Sequence, residues 1–183
     1  MTAGQVIAPG HVLHRGWYNR QPGKRLTAES LIRTRPGWTQ PKLRMFGRDV
    51  PVPRLVVAYG AAYSYSGVHH KDVPIPPELA PIVENASALY RNGSDSIGWH
   101  SDDEPELGPD PVIASLSIGG ARAFRVRSKG RGQELEPSCV TTMLEDGDLL
   151  VMSGRSQLDY QHSVPRTSKD VMPRVNITLR RVQ

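Results

Sequence analysis

Arg174-Val175-Asn176-Ile177-Thr178-Leu179-Arg180 is a strictly alternating stretch near the end of this chain of 183 residues. In an extended backbone its aliphatic side chains share one face and its polar side chains share the other. The stretch therefore predicts a β-strand with one buried apolar face. The polar face is either solvated or lines a cavity, where the two arginines would bind a dicarboxylate through bidentate hydrogen bonds.

Similar short runs occur from residue 96 onward, and glycine-rich turns separate them. Strands are predicted at Val112–Ile118, Ala121–Arg127, Glu134–Met143, Leu149–Met152, Tyr160–Val164 and Arg174–Val182. Strands this short and this regularly spaced favour a mainly β fold, a double sheet or jelly roll that closes its edges around a cavity.

The first half of the chain predicts helices that flank this core. One helix would begin at Thr27-Ala28-Glu29 and end before Pro36, and a second is predicted over residues 77–89. Residues 1–24 show no periodicity, so we expect an N-terminal arm that is extended or poorly ordered. A single domain would then span residues 25–183.

The composition limits the chemistry that is available. The single cysteine, Cys139, excludes an intrachain disulfide and a thiolate metal cluster, so a metal would be held by histidines and carboxylates. No apolar run is long enough to cross a membrane, and no export signal opens the chain. We therefore expect an intracellular monomer, cytoplasmic in a bacterium and nuclear in a eukaryote, with no membrane and no disulfide-linked partner. The net charge of +5 suggests an anionic partner such as nucleic acid.

His100-Ser101-Asp102 is the motif that points most directly to a metal. Positions i and i+2 of a strand share a face, so the imidazole and the carboxylate could bind one ion together with His162. Two histidines and one carboxylate leave open positions on an octahedral ion, which suits Fe(II) oxygenases. A zinc hydrolase would use the same ligand types, and a His-x-Asp motif also occurs by chance. The arginines of the last strand favour the oxygenase, because a hydrolytic zinc site needs no dicarboxylate clamp.

Several spaced motifs resemble one family. They are Leu89-Tyr90-Arg91-Asn92-Gly93, then Asp95 to Glu104, then Ile113 to Ser117, then Arg174 to Arg180. In this order they resemble the AlkB-type alkylation-repair dioxygenases, and most closely the branch that includes the two vertebrate nuclear DNA-repair homologues. The similarity runs from about Trp38 to Arg181. It implies a double-stranded β-helix over residues 88–183, preceded by a nucleotide-recognition lid over residues 38–75.

The resemblance also implies roles for individual residues at the centre of the fold. Fe(II) would be bound by His100, Asp102 and His162. The distal carboxylate of the cosubstrate 2-oxoglutarate would pair with Arg174, helped by Tyr90. Asn176 and Arg180 would lie on the same face, with Arg180 near the iron-chelating end, and O2 would be the second cosubstrate.

Other residues would contact the substrate. Tyr63 and Tyr65 resemble part of the recognition lid, with Tyr65 and the ring of His100 on the two faces of the target base and Asp103 in polar contact with it. Phe46, in a short hairpin, would be a wedge in the base stack. Plain core packing is the alternative for Phe46 and the two tyrosines. Two basic runs would contact phosphates or be solvated: Lys42, Arg44, Arg48 and Arg54, and Arg122, Arg125, Arg127, Lys129 and Arg131.

The implied activity is oxidative dealkylation of N-alkylated bases in DNA or RNA, of the N1-methyladenine and N3-methylcytosine type. It would use Fe(II), 2-oxoglutarate and O2 and release aldehyde, succinate and CO2. Two alternatives stay open at this point. The first is a 2-oxoglutarate-dependent hydroxylase of a protein or a small molecule, and the second is a nucleic-acid-binding module without activity.

One position departs from the family pattern and generates a prediction. The family usually has asparagine two residues before the tyrosine that corresponds to Tyr90, and this chain has Ala88. We expect Ala88→Asn to lower the 2-oxoglutarate concentration at half-saturation, because a hydrogen bond to a charged group contributes on the order of 1.5–3 kcal/mol. An unchanged half-saturation in Ala88→Asn would contradict this.

Overall fold

The computed structural model describes residues 3–23, 25–34, 37–45, 47–59, 63–65, 68–70, 85–130 and 138–180. For residues 45, 59, 63–65, 68–70, 85 and 86 the backbone alone is described. The larger sheet runs, in spatial order, through β1 (Gln5–Ala8), β2 (His11–His14), β13 (Leu149–Met152), β10 (Ile113–Gly119), β15 (Arg174–Arg180), β8 (Asn85–Tyr90) and β5 (Leu55–Tyr59). The smaller sheet runs through β12 (Cys139–Leu144), β11 (Arg122–Ser128), β14 (Tyr160–Val164) and β9 (Ile97–His100).

Shorter elements lie outside both sheets. The hairpins are β3 (Lys42–Met45) with β4 (Arg48–Pro51), and β6 (Tyr63–Tyr65) with β7 (Val68–His70). The α-helices are α1 (Ala28–Thr34) and α2 (Ser156–Asp159), and 3-10 turns occur at Tyr18–Arg20 and Pro105–Leu107. Within the described ranges, no helix is both long and apolar enough to cross a membrane.

The two sheets pack against each other through one hydrophobic core. The larger sheet contributes Leu13, Ile113 and Leu150, and the smaller sheet contributes Phe124 and Val126; all of them are at most 5% exposed. The paired strands in both sheets are antiparallel. The mainly β fold with facing sheets is therefore confirmed.

The polar face of β15 is directed toward the smaller sheet. Val175 and Ile177 point away from the smaller sheet and pack in a second core with Leu31 of α1. The polar side chains of β15, among them Arg174 and Asn176, consequently face the space between the sheets. The polar face thus lines a cavity, which decides between the two alternatives left open by the sequence.

The N-terminal residues differ from the expectation of a separate arm. Residues 5–14 are extended, but they form a hairpin whose second strand, β2, pairs with β13 in the larger sheet. His11 and Leu13 are buried on one face of β2. A histidine on the buried face of a four-residue strand hides the apolar alternation, so the sequence pattern gave no sign of this pairing.

The helix predicted over residues 77–89 is wrong at its C-terminal end, which is the part that the structure describes. Its last residues belong to β8, which pairs with β15 on one side and β5 on the other. The segment from Asn85 to Leu89 contains two alanines, which favour a helix, so its strand structure is determined by pairing on both edges against this local preference. Residues 77–84 lie outside the described residues. Strand β12 begins at Cys139 instead of Glu134, and residues 131–137 also lie outside the described part.

A core substitution tests whether the N-terminal hairpin belongs to the domain. Leu13 is 1% exposed, so Leu13→Ala is expected to lower the free energy of unfolding by about 2–5 kcal/mol. Val6, on the neighbouring strand, is 68% exposed, and Val6→Ala is expected to change it by no more than about 0.5 kcal/mol. Urea denaturation of both variants measures the difference. Equal stabilities would mean that the hairpin is detached from the core in solution.

Candidate active site

A cavity of about 420 Å³ lies between the sheets, and three groups of its lining residues come from β15, from the smaller sheet and from the β3–β4 region, beside further residues of β8, β10 and β13. The polar face of β15 supplies Arg174, Asn176, Thr178 and Arg180. The smaller sheet and the segment after it supply Gly98, Trp99, His100, Asp102, Phe124 and His162. The hairpin β3–β4 and the chain around it supply Pro41, Leu43, Val50, Val52, Pro53 and Arg54.

The predicted metal ligands meet at one end of this cavity. His100 on β9 and His162 on β14 are paired across the smaller sheet, and their ring centroids are 4.2 Å apart. Nε2 of His100 lies 3.8 Å from Oδ1 of Asp102. One ligand atom from each of the three residues falls within 4.8 Å of the other two. This spacing fits a single ion bound by two imidazoles and one carboxylate.

The local backbone differs from the prediction of a continuous strand through Asp102. Strand β9 ends at His100, so Asp102 lies in the segment that follows it. Two hydrogen bonds hold this segment against the β14 side of the sheet. Oγ of Ser101 donates to the carbonyl of Tyr160 at 2.8 Å, and the backbone N–H of Asp102 donates to Oε1 of Gln157 at 2.9 Å. The carboxylate therefore reaches the site from an anchored turn.

Each histidine is held in a state that suits a metal ligand. Nδ1 of His100 is 2.9 Å from the carbonyl of Gly98, so it carries the proton and leaves Nε2 to face the cavity. Burial lowers the pKa of His100, and burial together with the charge of His100 lowers the pKa of His162 to about 3. Both imidazoles are therefore neutral at physiological pH and can donate a lone pair.

The carboxylate of Asp102 is ionised in spite of its burial. Burial alone would raise the pKa of Asp102, but Arg180 and the two histidines outweigh it and lower the pKa to about 2. Nη2 of Arg180 lies 3.0 Å from Oδ1 of Asp102. Arg180 on the larger sheet thus binds and orients a ligand carried by the smaller sheet. Arg180 was expected near the iron-chelating end of the cosubstrate, and the structure places it beside Asp102.

The other end of the cavity holds a buried guanidinium. Arg174 is 1% exposed, and its Nη2 donates to Oγ of Ser117 at 2.9 Å and to Oδ1 of Asn176 at 2.8 Å. Its Nε and Nη1 find no suitable hydrogen-bond acceptor among the described residues. Burial lowers the pKa of Arg174 to about 10, so it stays protonated at neutral pH. A buried cation with two unused donors fits a carboxylate ligand, as the distal carboxylate of 2-oxoglutarate would be.

Tyr90 and Asn176 support this guanidinium. Cζ of Arg174 lies 5.3 Å from the centroid of the Tyr90 ring, within the range of a cation–π contact. Oδ1 of Asn176 also accepts from Oγ of Ser115 at 2.8 Å, so Asn176 links Arg174 to the neighbouring strand β10. Ala88 pairs with Asn176 across β8 and β15 and lines the cavity. The substitution Ala88→Asn would therefore project into the same polar cluster.

The basic run that begins at Arg122 does not form one surface. Arg122 is 2% exposed, and its guanidinium donates to the backbone carbonyls of Asn92, Asp95 and Pro165. It is a structural residue that joins two loops. Arg125 and Arg127 lie over the Trp99 ring at 5.1 and 4.4 Å from its centroid. Arg131 lies outside the described residues.

Of the predicted substrate residues, only Asp103 has a side chain that the structure describes. The side chain of Asp103 is 65% exposed and pairs with Lys129 at 3.3 Å, so Asp103 is not part of the cavity lining. Tyr63 and Tyr65 lie on β6, which is described by its backbone alone. Phe46 lies outside the described residues, although the hairpin predicted around it is present as β3–β4, with Gly47 at a φ of 77° in its turn.

Sequence reasoning missed Gln157, and it did not predict that Arg54, within the expected recognition lid, would be buried in the cavity wall. Gln157 is 2% exposed and accepts from the backbone of Asp102, but a glutamine in a short helix is indistinguishable from a surface residue in the sequence. Arg54 is 6% exposed and lines the cavity, although the sequence placed it in a solvated or phosphate-contacting basic run. Only the fold places these residues, since neither belongs to a periodic pattern.

Comparison with known proteins gives a consistent result. The family model described as the 2OG-Fe(II) oxygenase superfamily matches residues 10–180. Alpha-ketoglutarate-dependent dioxygenase alkB homolog 3 of Homo sapiens is 48% identical over 148 residues, which is 71% of this chain and 52% of that protein. DNA oxidative demethylase ALKBH2 of Homo sapiens is 34% identical over 159 residues, which is 77% of this chain and 61% of that protein. The chain spans about half the length of the first of these relatives.

A solved structure shares the fold. The structure of OsALKBH1 superimposes with a TM-score of 0.62 over 97% of this chain and 100% of that chain, at 19% sequence identity. The predicted double-stranded β-helix is thereby confirmed.

The anchor of Asp102 can be tested by metal binding. Gln157→Ala removes the acceptor of the Asp102 N–H, and residues that orient metal ligands typically contribute about 10- to 100-fold in metal affinity. We expect Mn(II) to bind weaker by about that factor in calorimetric titration. Leu158→Ala is the matched control, because Leu158 lies on the same helix and is 55% exposed. Unchanged Mn(II) affinity in Gln157→Ala would contradict this, because the position of Asp102 would then not depend on its hydrogen bond to Gln157.

Proposed function

This chain belongs to the 2OG-Fe(II) oxygenase superfamily, as its resemblance to AlkB-type dioxygenases predicted, and we propose that it removes alkyl groups oxidatively from nucleic-acid bases. The proposed substrates are N-alkylated bases of the N1-methyladenine and N3-methylcytosine type in DNA or RNA. One observation carries the proposal: a single cavity holds a His-Asp-His ligand set at one end and the unused donors of Arg174 at the other.

Fe(II) bound by His100, Asp102 and His162 would supply oxidation of the N-alkyl carbon, with O2 and 2-oxoglutarate consumed and succinate, CO2, an aldehyde and the free base released. The task of the protein is to position these groups and to exclude water. Arg174 binds the distal carboxylate of the cosubstrate, and its burial at 1% exposure keeps water from competing for its donors. Ser117 and Asn176 fix the plane of its guanidinium.

Arg180 contacts a metal-ligand candidate, Asp102, whereas Arg174 faces the cosubstrate. Its ion pair with Asp102 holds one carboxylate oxygen at 3.0 Å, which fixes the orientation of the ligand before a metal arrives. A ligand that is already ionised and oriented loses little conformational freedom on binding the ion. Arg180 therefore supports metal binding by positioning Asp102.

The nucleic-acid substrate is supported by three further facts. Relatives at 34–48% identity carry names that describe an alkB homolog dioxygenase and a DNA oxidative demethylase. The chain has a net charge of +5, which favours a polyanion. The hairpin β3–β4 contributes Leu43 and Val50 to one wall of the cavity, an apolar surface suited to the face of a base. DNA or RNA as substrate would place the enzyme inside the cell, in the cytoplasm of a bacterium or the nucleus of a eukaryote.

The proposal is tested with an oligonucleotide that carries one N3-methylcytosine. The protein is loaded with Fe(II) under anaerobic conditions, and 2-oxoglutarate and O2 are then added. We expect mass spectrometry to show the loss of one methyl group, with succinate formed in step. His100→Ala is expected to abolish both products because it removes a metal ligand, whereas His14→Ala, on β2 away from the cavity lining, keeps them.

Two other outcomes of this assay would contradict the proposed dealkylation and favour the alternatives. Succinate formed without loss of the methyl group would contradict the nucleic-acid substrate and favour a hydroxylase of a protein or a small molecule. Binding of the oligonucleotide without either product would favour a binding module.

A further inference from the structure

The ring of Tyr90 is in contact with two buried arginines. Cζ of Arg174 lies 5.3 Å from the ring centroid, and Cζ of Arg122 lies 5.4 Å from it. Both distances are within the range of a cation–π contact. All three residues are at most 4% exposed. Arg174 and Tyr90 line the cavity, whereas Arg122 is not among its described lining residues, so a second positive charge lies close to the cosubstrate end of the cavity without facing it.

Arg122 reaches Tyr90 across the gap between the two sheets. Arg122 begins β11 of the smaller sheet, and Tyr90 ends β8 of the larger sheet. The guanidinium of Arg122 donates to the carbonyls of Asn92 and Asp95, in the segment after β8, at 3.1 and 2.8 Å. A third bond, at 2.8 Å, goes to the carbonyl of Pro165, directly after β14. Three backbone acceptors therefore fix the guanidinium beside the Tyr90 ring.

These carbonyls satisfy the hydrogen bonds of Arg122 but carry no net charge. The carboxylate of Asp95 attracts Arg122, but its two oxygens accept hydrogen bonds from the guanidinium of Arg91 at 2.7 and 2.8 Å. The charge of Arg122 is thus compensated only in part by the residues that the structure describes. Because Arg122 is buried, water screens this charge weakly.

The charge of Arg122 is felt at Arg174. Burial, and after it the charge of Arg122, lowers the pKa of Arg174 to about 10. Two like charges in contact with one ring repel each other, which costs free energy in the protein without a ligand. A carboxylate on the unused Nε and Nη1 of Arg174 would relieve this repulsion. An anionic ligand would consequently be attracted by both cations although it contacts only one of them.

We propose that the charge of Arg122, held on the ring of Tyr90, strengthens the binding of the distal carboxylate of 2-oxoglutarate, so that Arg122 is a positioning residue of the cosubstrate site. This inference rests on the proposed function, in which that carboxylate binds Arg174. It extends the cosubstrate site to a residue of the smaller sheet that the ligand does not touch.

The test measures the Kd of 2-oxoglutarate by calorimetry on Mn(II)-loaded protein under anaerobic conditions, so that binding is observed without turnover. Arg122→Gln removes the charge and retains two amide donors for the backbone carbonyls. We expect this variant to bind 2-oxoglutarate about tenfold more weakly, with the Kd of Mn(II) unchanged within about twofold. Arg122→Lys retains the charge without the planar fork of donors, and it should bind 2-oxoglutarate within about threefold of the wild type.

Arg166→Gln is the matched control. Arg166 follows Pro165 in the segment that Arg122 contacts, but its side chain is exposed. The same change of charge at this position is screened by water and ions, so the Kd of 2-oxoglutarate should stay within about twofold of the wild type. Thermal denaturation confirms that each variant is folded.

An unchanged Kd of 2-oxoglutarate in folded Arg122→Gln would overturn this inference alone. A folded Arg122→Lys that binds 2-oxoglutarate about tenfold more weakly would also overturn it, because the loop contacts and not the charge would then matter. This second variant decides the question by itself if Arg122→Gln does not fold. No binding of 2-oxoglutarate to the Mn(II)-loaded wild type would overturn the proposed function and this inference with it.

Discussion

The guanidinium of Arg174, buried between two β-sheets, is the constraint on which the site depends. An ionised group of this kind costs several kcal/mol to bury unless polar groups surround it. Ser117 and Asn176 provide part of this surrounding, and two donors remain for a ligand. Because the polar face of β15 points inward, the sheets cannot pack with aliphatic side chains at this point, and a cavity remains. The apolar face of the same strand is covered by α1, so the alternation of a single strand shapes both the core and the site.

The metal end depends on contacts between the two sheets. His100 and His162 belong to the smaller sheet, while Arg180 belongs to the larger one and pairs with Asp102 across the gap. A shift of one sheet against the other would break this ion pair and move the carboxylate relative to the imidazoles. Gln157 holds the same carboxylate from the side of α2. Fold and site are therefore coupled through one aspartate.

Much of this arrangement could be predicted from the sequence, and the exceptions share a physical reason. The strand Arg174–Arg180 follows from its alternation, whereas His100, Asp102 and His162 were expected as metal ligands from their residue types and spacing together with the family resemblance. Strand β8 was predicted as the end of a helix because its alanines favour a helix and continue a helical apolar spacing, whereas the strands that pair with it are distant in sequence. The N-terminal hairpin was missed since His11 is buried where the pattern requires an apolar residue. Gln157 contacts the Asp102 segment and Arg54 lines the cavity through tertiary position, which no local pattern records.

A crystal structure of the protein with Mn(II) and N-oxalylglycine, an unreactive analogue of 2-oxoglutarate, tests the central claim most directly. Anomalous scattering locates the metal without reference to activity. The account predicts one Mn(II) bound by Nε2 of His100, a carboxylate oxygen of Asp102 and an imidazole nitrogen of His162, with the distal carboxylate of the analogue on Nε and Nη1 of Arg174. Metal bound elsewhere, or an analogue whose carboxylate does not reach Arg174, would contradict it.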